Sequence, residues 1–504
     1  MSQIENRLFA AGMPVAALME KVAGLITQWI RSHYPPTTTH QVGILVGPGH
    51  NGGDALVVAR ELHLQGYALC CYQPLPQLKE LTRHHAHYAA SLGIPCTDQI
   101  TDLQDCDLLI DGLFGFGLTR SIEGAMAAGI DQMQTWQKPI VSIDLPSGLH
   151  TDTGCVLGTA VRATHTLCLG LWKRAFLEDG ALEYVGQAEL IDFGLPLPDI
   201  HAVLGENPEL QRITRSQALQ ALPLPRPATT HKYKQGHLLL VCGSRQYMGA
   251  ALLCGLSARA SGVGMLSIAV PDSLRTLVIA QIPDALVIGC PETPAGAIAA
   301  LPDRLELGHY QTIACGPGLS REAIPIVQQI LSSPGALVLD ADGLNSLAEL
   351  GLESLRSRPA PTVLTPHFGE FKRLFPELDT GSVDRIGLAQ QAAQLSGAIV
   401  LLKGAHTVIA NSQQVWVNPV STPALARGGS GDVLTGLMGG LIAQGRLQPT
   451  PIEASVISAT WWHAQAGCLA AAQRTELGVD ASTLIQYLIP AIALQSGQQS
   501  SPIG

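Results

Sequence analysis

The stretch RGGSGDVLTG, from Arg427, ends an anion-binding loop in an acid. Gly428, Gly429, Ser430 and Gly431 precede an apolar, helix-forming run, so their backbone N–H groups suit a phosphate at a helix N-terminus. Asp432 would then face a second anion, which makes sense if it works as a base. One compact loop can hold both a phosphate and the base for an attacking hydroxyl, as phosphoryl transfer requires. Repulsion between the two anions calls for Mg²⁺ on the phosphates. Taken alone, GGSGD also reads as a helix N-cap with Asp432 favouring the macrodipole. Its neighbours favour chemistry: KGAHT (Lys403, Gly404, Ala405, His406, Thr407) offers a cation, a hydroxyl and backbone groups, TPHFGEF sets His367 at a strand end, and CGPGL makes a tight turn.

A second set lies in the first half of the chain. GPGHNGGD, DGLFGFGLTR and DLPSG each follow an apolar run. The first is not the dinucleotide fingerprint GxGxxG, because Asn51 and Asp54 interrupt the spacing. Asp111 and Asp144 stand directly after apolar strands, where a carboxylate is costly to desolvate unless paired or used. Asn51, Asp111 and Ser147 are hard oxygen donors able to surround a monovalent cation. Each alone would be a turn or capping residue; three converging strand ends argue otherwise.

Short apolar runs alternate with helix-compatible stretches around these motifs, which predicts right-handed βαβ units and a mostly parallel sheet. Ligands in such sheets sit at the carboxyl ends of the strands. A Pro- and Leu-rich stretch without sustained periodicity over residues 195–227 divides two such series, with the boundary expected near residue 212. The fold class is therefore α/β, in two tandem domains, 1–212 and 213–504.

Composition agrees. With 504 residues, 46% hydrophobic and 14% charged, the chain can build two large cores. A net charge of −10 disfavours a nucleic acid or an acidic membrane as partner. Eleven cysteines without a CxxC spacing read as reduced thiols of a cytoplasmic protein. The apolar run from Leu8 to Met19 reads as an amphipathic helix, since no basic segment precedes it, and no uncharged apolar run reaches the roughly 18 residues that span a bilayer.

The order GxGxNGGD, DxLFGxGL, SIDxPSG resembles the N-terminal domain of the NAD(P)H-hydrate repair enzymes, a Rossmann-like three-layer domain. The resemblance implies epimerisation of the R and S forms of hydrated NADH and NADPH (NADHX and NADPHX), with K⁺ as cofactor. Carried over by position, His50, Asn51, Gly52, Gly53 and Asp54 bind the hydrated nucleotide together with Gly115, Phe116, Gly117, Leu118, Thr119, Arg120 and Ser121. Asn51, Asp111 and Ser147 surround K⁺, and Asp144 contacts substrate as the proton-transfer residue. His50 stands where the family usually has Asn, and Gly112 and Phe116 replace Ala and Thr.

HKYKQGHLLLVCGS, YMGAA, GPGL, TPHFGEF, KGAHT and GGSGDVLTG resemble, in that order, the ribokinase-like ADP-dependent dehydratase of the same family. That resemblance implies that Ala250, Gly318, His367 and Asp432 contact the S-form hydrate. Lys403, Gly404, Ala405, His406 and Thr407 with Gly428, Gly429, Ser430 and Gly431 hold the adenine nucleotide, ADP being co-substrate with Mg²⁺. A homo-oligomer is implied as well. Two alternatives stay open: a vitamin or sugar kinase that stops after phosphorylation, and a first domain that is a non-catalytic scaffold, as in some RNA-decapping factors.

Overall fold

The computed structural model describes residues 1–379 and 384–495. Two compact units emerge, Met1–Pro208 and Glu209–Gly504. The boundary thus precedes the expected one, because Leu210–Arg212 adds an edge strand to the second sheet beside Val415–Asn418. That pairing lies some two hundred positions away in sequence and leaves no local periodicity to read.

In the first unit the strands are β1 (Gln41–Val46), β2 (Ala68–Tyr72), β3 (Cys96–Thr97), β4 (Leu108–Gly112), β5 (Ile140–Ile143), β6 (His165–Leu169) and β7 (Gln187–Ile191). They form one parallel sheet in the order β3-β2-β1-β4-β5-β6-β7. Strand order reverses between β1 and β4, and their carboxyl ends open a crevice there. Val42, Ile44, Leu108 and Ile110 are fully buried, as the near-continuous apolar runs require of strands covered on both faces.

The second unit holds β8 (Leu210–Arg212), β9 (His237–Val241), β10 (Met265–Pro271), β11 (Leu286–Cys290), β12 (Thr312–Cys315), β13 (Ala336–Leu339), β14 (Thr362–Leu364), β15 (Ile399–Leu402), β16 (Thr407–Ala410) and β17 (Val415–Asn418). The sheet runs β11-β10-β9-β12-β13-β14-β15-β16-β17-β8, parallel from β11 to β15 and antiparallel at β15–β16 and β16–β17. Helix Ser430–Gly445 packs across it with Val433, Leu437 and Met438 fully buried. No helix among the described residues is long and apolar enough to cross a membrane.

Candidate active sites

In the first unit, the loops after β1, β4, β5 and β6 surround a cavity of about 730 Å³. That volume lies within the range of small-ligand clefts. His50, Asn51 and Asp54, the run 115–120 and Asp144 line it. Gly52, Gly53 and Ser121, expected beside them, do not. A Cβ on Gly52 would stand 1.9 Å from the Gly47 carbonyl oxygen, and one on Gly53 would stand 2.7 Å from Met19 Cε, so Gly52 serves the approach of the helix to the strand end and Gly53 its packing on helix Val15–His33. Gly115 is demanded by the site itself, since its Cβ would meet Asp144 Oδ2 at 2.8 Å and Asn51 Oδ1 at 3.0 Å.

Asp144 sits at φ +71°, a left-handed conformation costly for a side-chain-bearing residue. The turn aims its carboxylate back over the strand ends. Phe116 N–H donates to its Oδ2 at 2.8 Å, and the buried Lys173 ammonium forms an ion pair with its Oδ1. Lys173 also donates to the Leu169 carbonyl at 2.6 Å. Burial opposes the ammonium, but Asp144 and the Cys168 thiol outweigh it and raise the Lys173 pKa. Sequence reasoning missed Lys173, which lies in a loop with no motif; its charge four positions past an apolar strand was the available signal.

Asp111 is fully buried and accepts from Ser147 Oγ (2.6 Å), Ser142 Oγ (2.8 Å), Ser147 N (2.9 Å) and Leu113 N (3.2 Å). Burial raises its pKa against the pull of those bonds, and among the described residues no side-chain cation pairs with it. Ser147 Oγ in turn accepts from Phe114 N at 2.8 Å. Asn51 Nδ2 is buried without a partner. The three expected cation ligands therefore include one uncompensated carboxylate and one orphaned amide.

In the second unit the decisive residue is one the motif reading passed over. Asp340, directly after β13, is 2% exposed and accepts from Lys403 Nζ at 2.6 Å and Thr435 Oγ1 at 2.7 Å. Burial works against its charge, yet Lys403 and the hydroxyls of Thr435 and Thr365 prevail and lower its pKa. The rule that flagged Asp111 and Asp144, an acid ending an apolar strand, would have found it in GALVLDAD. The next residue, Ala341, has φ +48°, and Gly316 leaves room for the turn, since a Cβ there would be 1.8 Å from the Asp340 carbonyl oxygen.

Asp432 lies in the first turn of helix Ser430–Gly445, whose N-cap Gly429 has φ +88°. Gly428 faces open space, and the Gly431 Cα stands beside Lys403, whose Nζ would be 3.1 Å from a Cβ built there. Asp432 makes no ion pair among the described residues. Burial first, then Asp340, raise its pKa to about 6 although Lys403 pulls the other way. His463, buried, receives or gives a bond at Ser430 Oγ (3.3 Å) and is driven down to about 4 by burial, so it is neutral under this loop.

The remaining expected residues are brought together unevenly. Gly318, at φ +66°, touches Ala250 and Tyr247. His367 caps helix Phe368–Leu374: its Nδ1 accepts from Gly369 N (3.0 Å) and Glu370 N (3.3 Å), and its backbone N–H donates to Glu370 Oε2 (2.9 Å). In KGAHT, Gly404 and Ala405 are exposed, but His406 is buried and Thr407 begins β16, so the loop offers a nucleotide mostly backbone.

Comparison with known proteins places this geometry. Residues 238–490 match the NAD(P)H-hydrate dehydratase family, and residues 15–175 match the family described as YjeF-related protein N-terminus. A bifunctional NAD(P)H-hydrate repair enzyme of Synechocystis sp. is 56% identical over 97% of this chain and 93% of that protein. Its counterpart in Thermosynechococcus vestitus is 52% identical over 98% and 96%. A ribokinase-like superfamily protein of Enterococcus faecalis superposes with TM-score 0.50 at 22% identity, covering 57% of this chain and 96% of that one, which speaks to fold alone. The chain belongs to the bifunctional NAD(P)H-hydrate repair enzyme family.

Proposed function

We propose that the first unit interconverts R- and S-NAD(P)HX and that the second dehydrates the S form with ADP, giving NAD(P)H, AMP and phosphate. The observation that carries the second half is the allocation of charge around Lys403. Its ammonium is committed to Asp340, so Asp432 keeps a pKa near 6 and can accept a proton near neutral pH. Asp432 takes the proton of the ring hydroxyl while the oxygen attacks the terminal phosphorus of ADP, held at the helix N-terminus by Gly428, Gly429, Ser430 and Gly431. The lone pair of the ring nitrogen then expels phosphate, and loss of the adjacent ring proton restores the dihydronicotinamide. Hydroxide leaves poorly and phosphate leaves well, which is why a dehydratase carries a kinase's machinery.

Mg²⁺ would neutralise charge on the phosphates. Among the described residues no three His, Cys, Asp or Glu side chains gather as a metal cage, which suits an ion held chiefly by phosphate oxygens and water. In the first unit Asp144 transfers the substrate proton. Asn51, Asp111 and Ser147 would hold K⁺, supplying the positive charge that the buried Asp111 lacks; the orphaned Asn51 amide turns an oxygen toward the ion when its ends are exchanged. K⁺ there would order the loops after β1 and β4. On the family resemblance the enzyme works as a cytoplasmic homo-oligomer.

Incubating the protein with an R and S mixture of hydrated NADH and ADP tests the proposal. Full recovery of the reduced-nicotinamide absorbance is expected. Recovery of only the S fraction removes the epimerase half, no recovery removes the dehydratase half, and accumulation of a phosphorylated hydrate supports a kinase.

A further inference from the structure

The cavity of the first unit holds more acid than the proposed reaction has used. Glu5, Asp54 and Asp144 line it from helix Ser2–Ala10, helix His50–Leu64 and the turn after β5. The buried Lys173 ammonium pairs with Asp144, which also takes the Phe116 N–H, and it acts on Glu5 as well. Among the described residues no hydrogen-bond donor and no cation reaches the Asp54 carboxyl. Two carboxyls of one cavity therefore stand in opposite environments, one supplied with positive charge and donors, the other with neither. Such a split is how a site assigns a base and an acid.

We propose that Asp54 is the general acid that works opposite the Asp144 base, an inference that rests on the epimerase reading above. The groups facing it agree. Burial first, then Asp144 and Glu5, push the Asp54 carboxyl well above the usual range, which favours its protonated form. Glu5 is also raised, by burial and by Asp144, but Lys173 and the chain's amino terminus favour its charged form, whereas no cation does so for Asp54. Beside Lys173 the Cys168 thiol, outside the cavity lining, is pushed up to about 11 by burial and is no competitor for the proton.

The carbon that bears the hydroxyl of the hydrate is also bonded to the ring nitrogen, so opening that carbon–nitrogen bond erases its configuration. Asp144 takes the hydroxyl proton and the oxygen electrons form a carbonyl. The carbon–nitrogen bond breaks, and its electron pair takes the proton from Asp54. Rotation about the neighbouring carbon–carbon bond turns the other carbonyl face to the nitrogen. Closure reverses both transfers, so each carboxyl ends as it began and nothing is oxidised or reduced.

Full-length Asp54→Asn tests this, with R-to-S exchange of hydrated NADH followed in K⁺ buffer by chromatography of the epimers. General acid catalysis contributes about 10²-fold or more, so kcat falls by about that factor while KM stays within about twofold. Asp54→Glu, which keeps a carboxylic acid, restores part of the rate. Wild-type exchange declines as the pH rises through the Asp54 titration, and the residual Asp54→Asn rate lacks that decline. A kcat within about threefold of wild type, or an alkaline decline that survives in Asp54→Asn, overturns the assignment. If both variants fail to exchange, the melting transition of the first unit reports whether it has folded. Failure of Asp54→Glu in a folded protein also overturns it. Wild-type protein that exchanges epimers no faster than buffer sinks the epimerase reading instead, so the two failures are distinct.

Discussion

Lys403 Nζ lies 2.6 Å from Asp340 Oδ1, so the ammonium beside the glycine loop neutralises Asp340 and leaves Asp432 without an ion pair. Two carboxylates and one lysine at a site cannot be equivalent, and the buried one takes the cation. The half-buried Asp432 is left as a base whose pKa, about 6, is matched to neutral pH. Dehydration should therefore rise as the pH passes through about 6, where Asp432 loses its proton. Asp340→Asn removes the nearby negative charge and releases Lys403, so the midpoint should move to lower pH. A pH profile of kcat/KM for both proteins measures it, and an unmoved midpoint would count against Asp432 as the base.

Asp432→Asn should abolish dehydration and leave R-to-S exchange intact, and Asp144→Ala should do the reverse. Loss of both activities in either folded variant would refute independent sites. Stability should move the other way from activity. A carboxyl whose folded pKa is raised from 3.8 to about 6 contributes stability that is present below its unfolded pKa and lost as pH rises through the folded one. At pH 7.5 that loss is about 2–3 kcal/mol at most, so Asp432→Asn should raise the melting temperature of the second unit there. The gain should fade toward pH 4. Equal melting temperatures at pH 7.5 would show that the carboxylate is better solvated than its surroundings suggest.

Lys403→Met strands a buried carboxylate. Removing one partner of such a pair costs about 3–5 kcal/mol, because Asp340 is left charged without compensation. Adding Asp340→Asn to Lys403→Met should recover most of the loss, since the neutral amide keeps a bond from Thr435. Chemical denaturation of the single and double variants tests the coupling; additive effects would mean that the pair is not the source.

Gly318→Ala should damage the dehydratase site alone. The position has φ +66°, and the new Cβ would press on Tyr247 Cβ at 2.8 Å and Ala250 Cβ at 2.9 Å. Strain and contact together should cost about 1–3 kcal/mol and shift the loop that faces the expected S-form hydrate. Dehydration should fall by an order of magnitude or more, with exchange at the wild-type rate. Unchanged dehydration would remove Gly318 from the substrate pocket.

The motifs were legible because they obey local rules. Apolar runs of four to seven residues ending in glycine or an acid announce parallel strands and their carboxyl ends, and GPGHNGGD, DLPSG and GGSGD all lie at strand or helix termini. Both α/β units could be read that way, whereas the edge strand Leu210–Arg212 could not, since only its partner Val415–Asn418 makes it a strand. Chain order determined which loops carry acids, glycines and lysines. Tertiary structure decided how charge is shared among them: Lys403 meets Asp340 across 63 positions, Thr435 meets it across 95, and Lys173 reaches Asp144 out of solvent. Periodicity is a property of neighbours along the chain. The proton affinity of a carboxyl depends on burial and on charges brought near through space, and those exist only once the chain has folded.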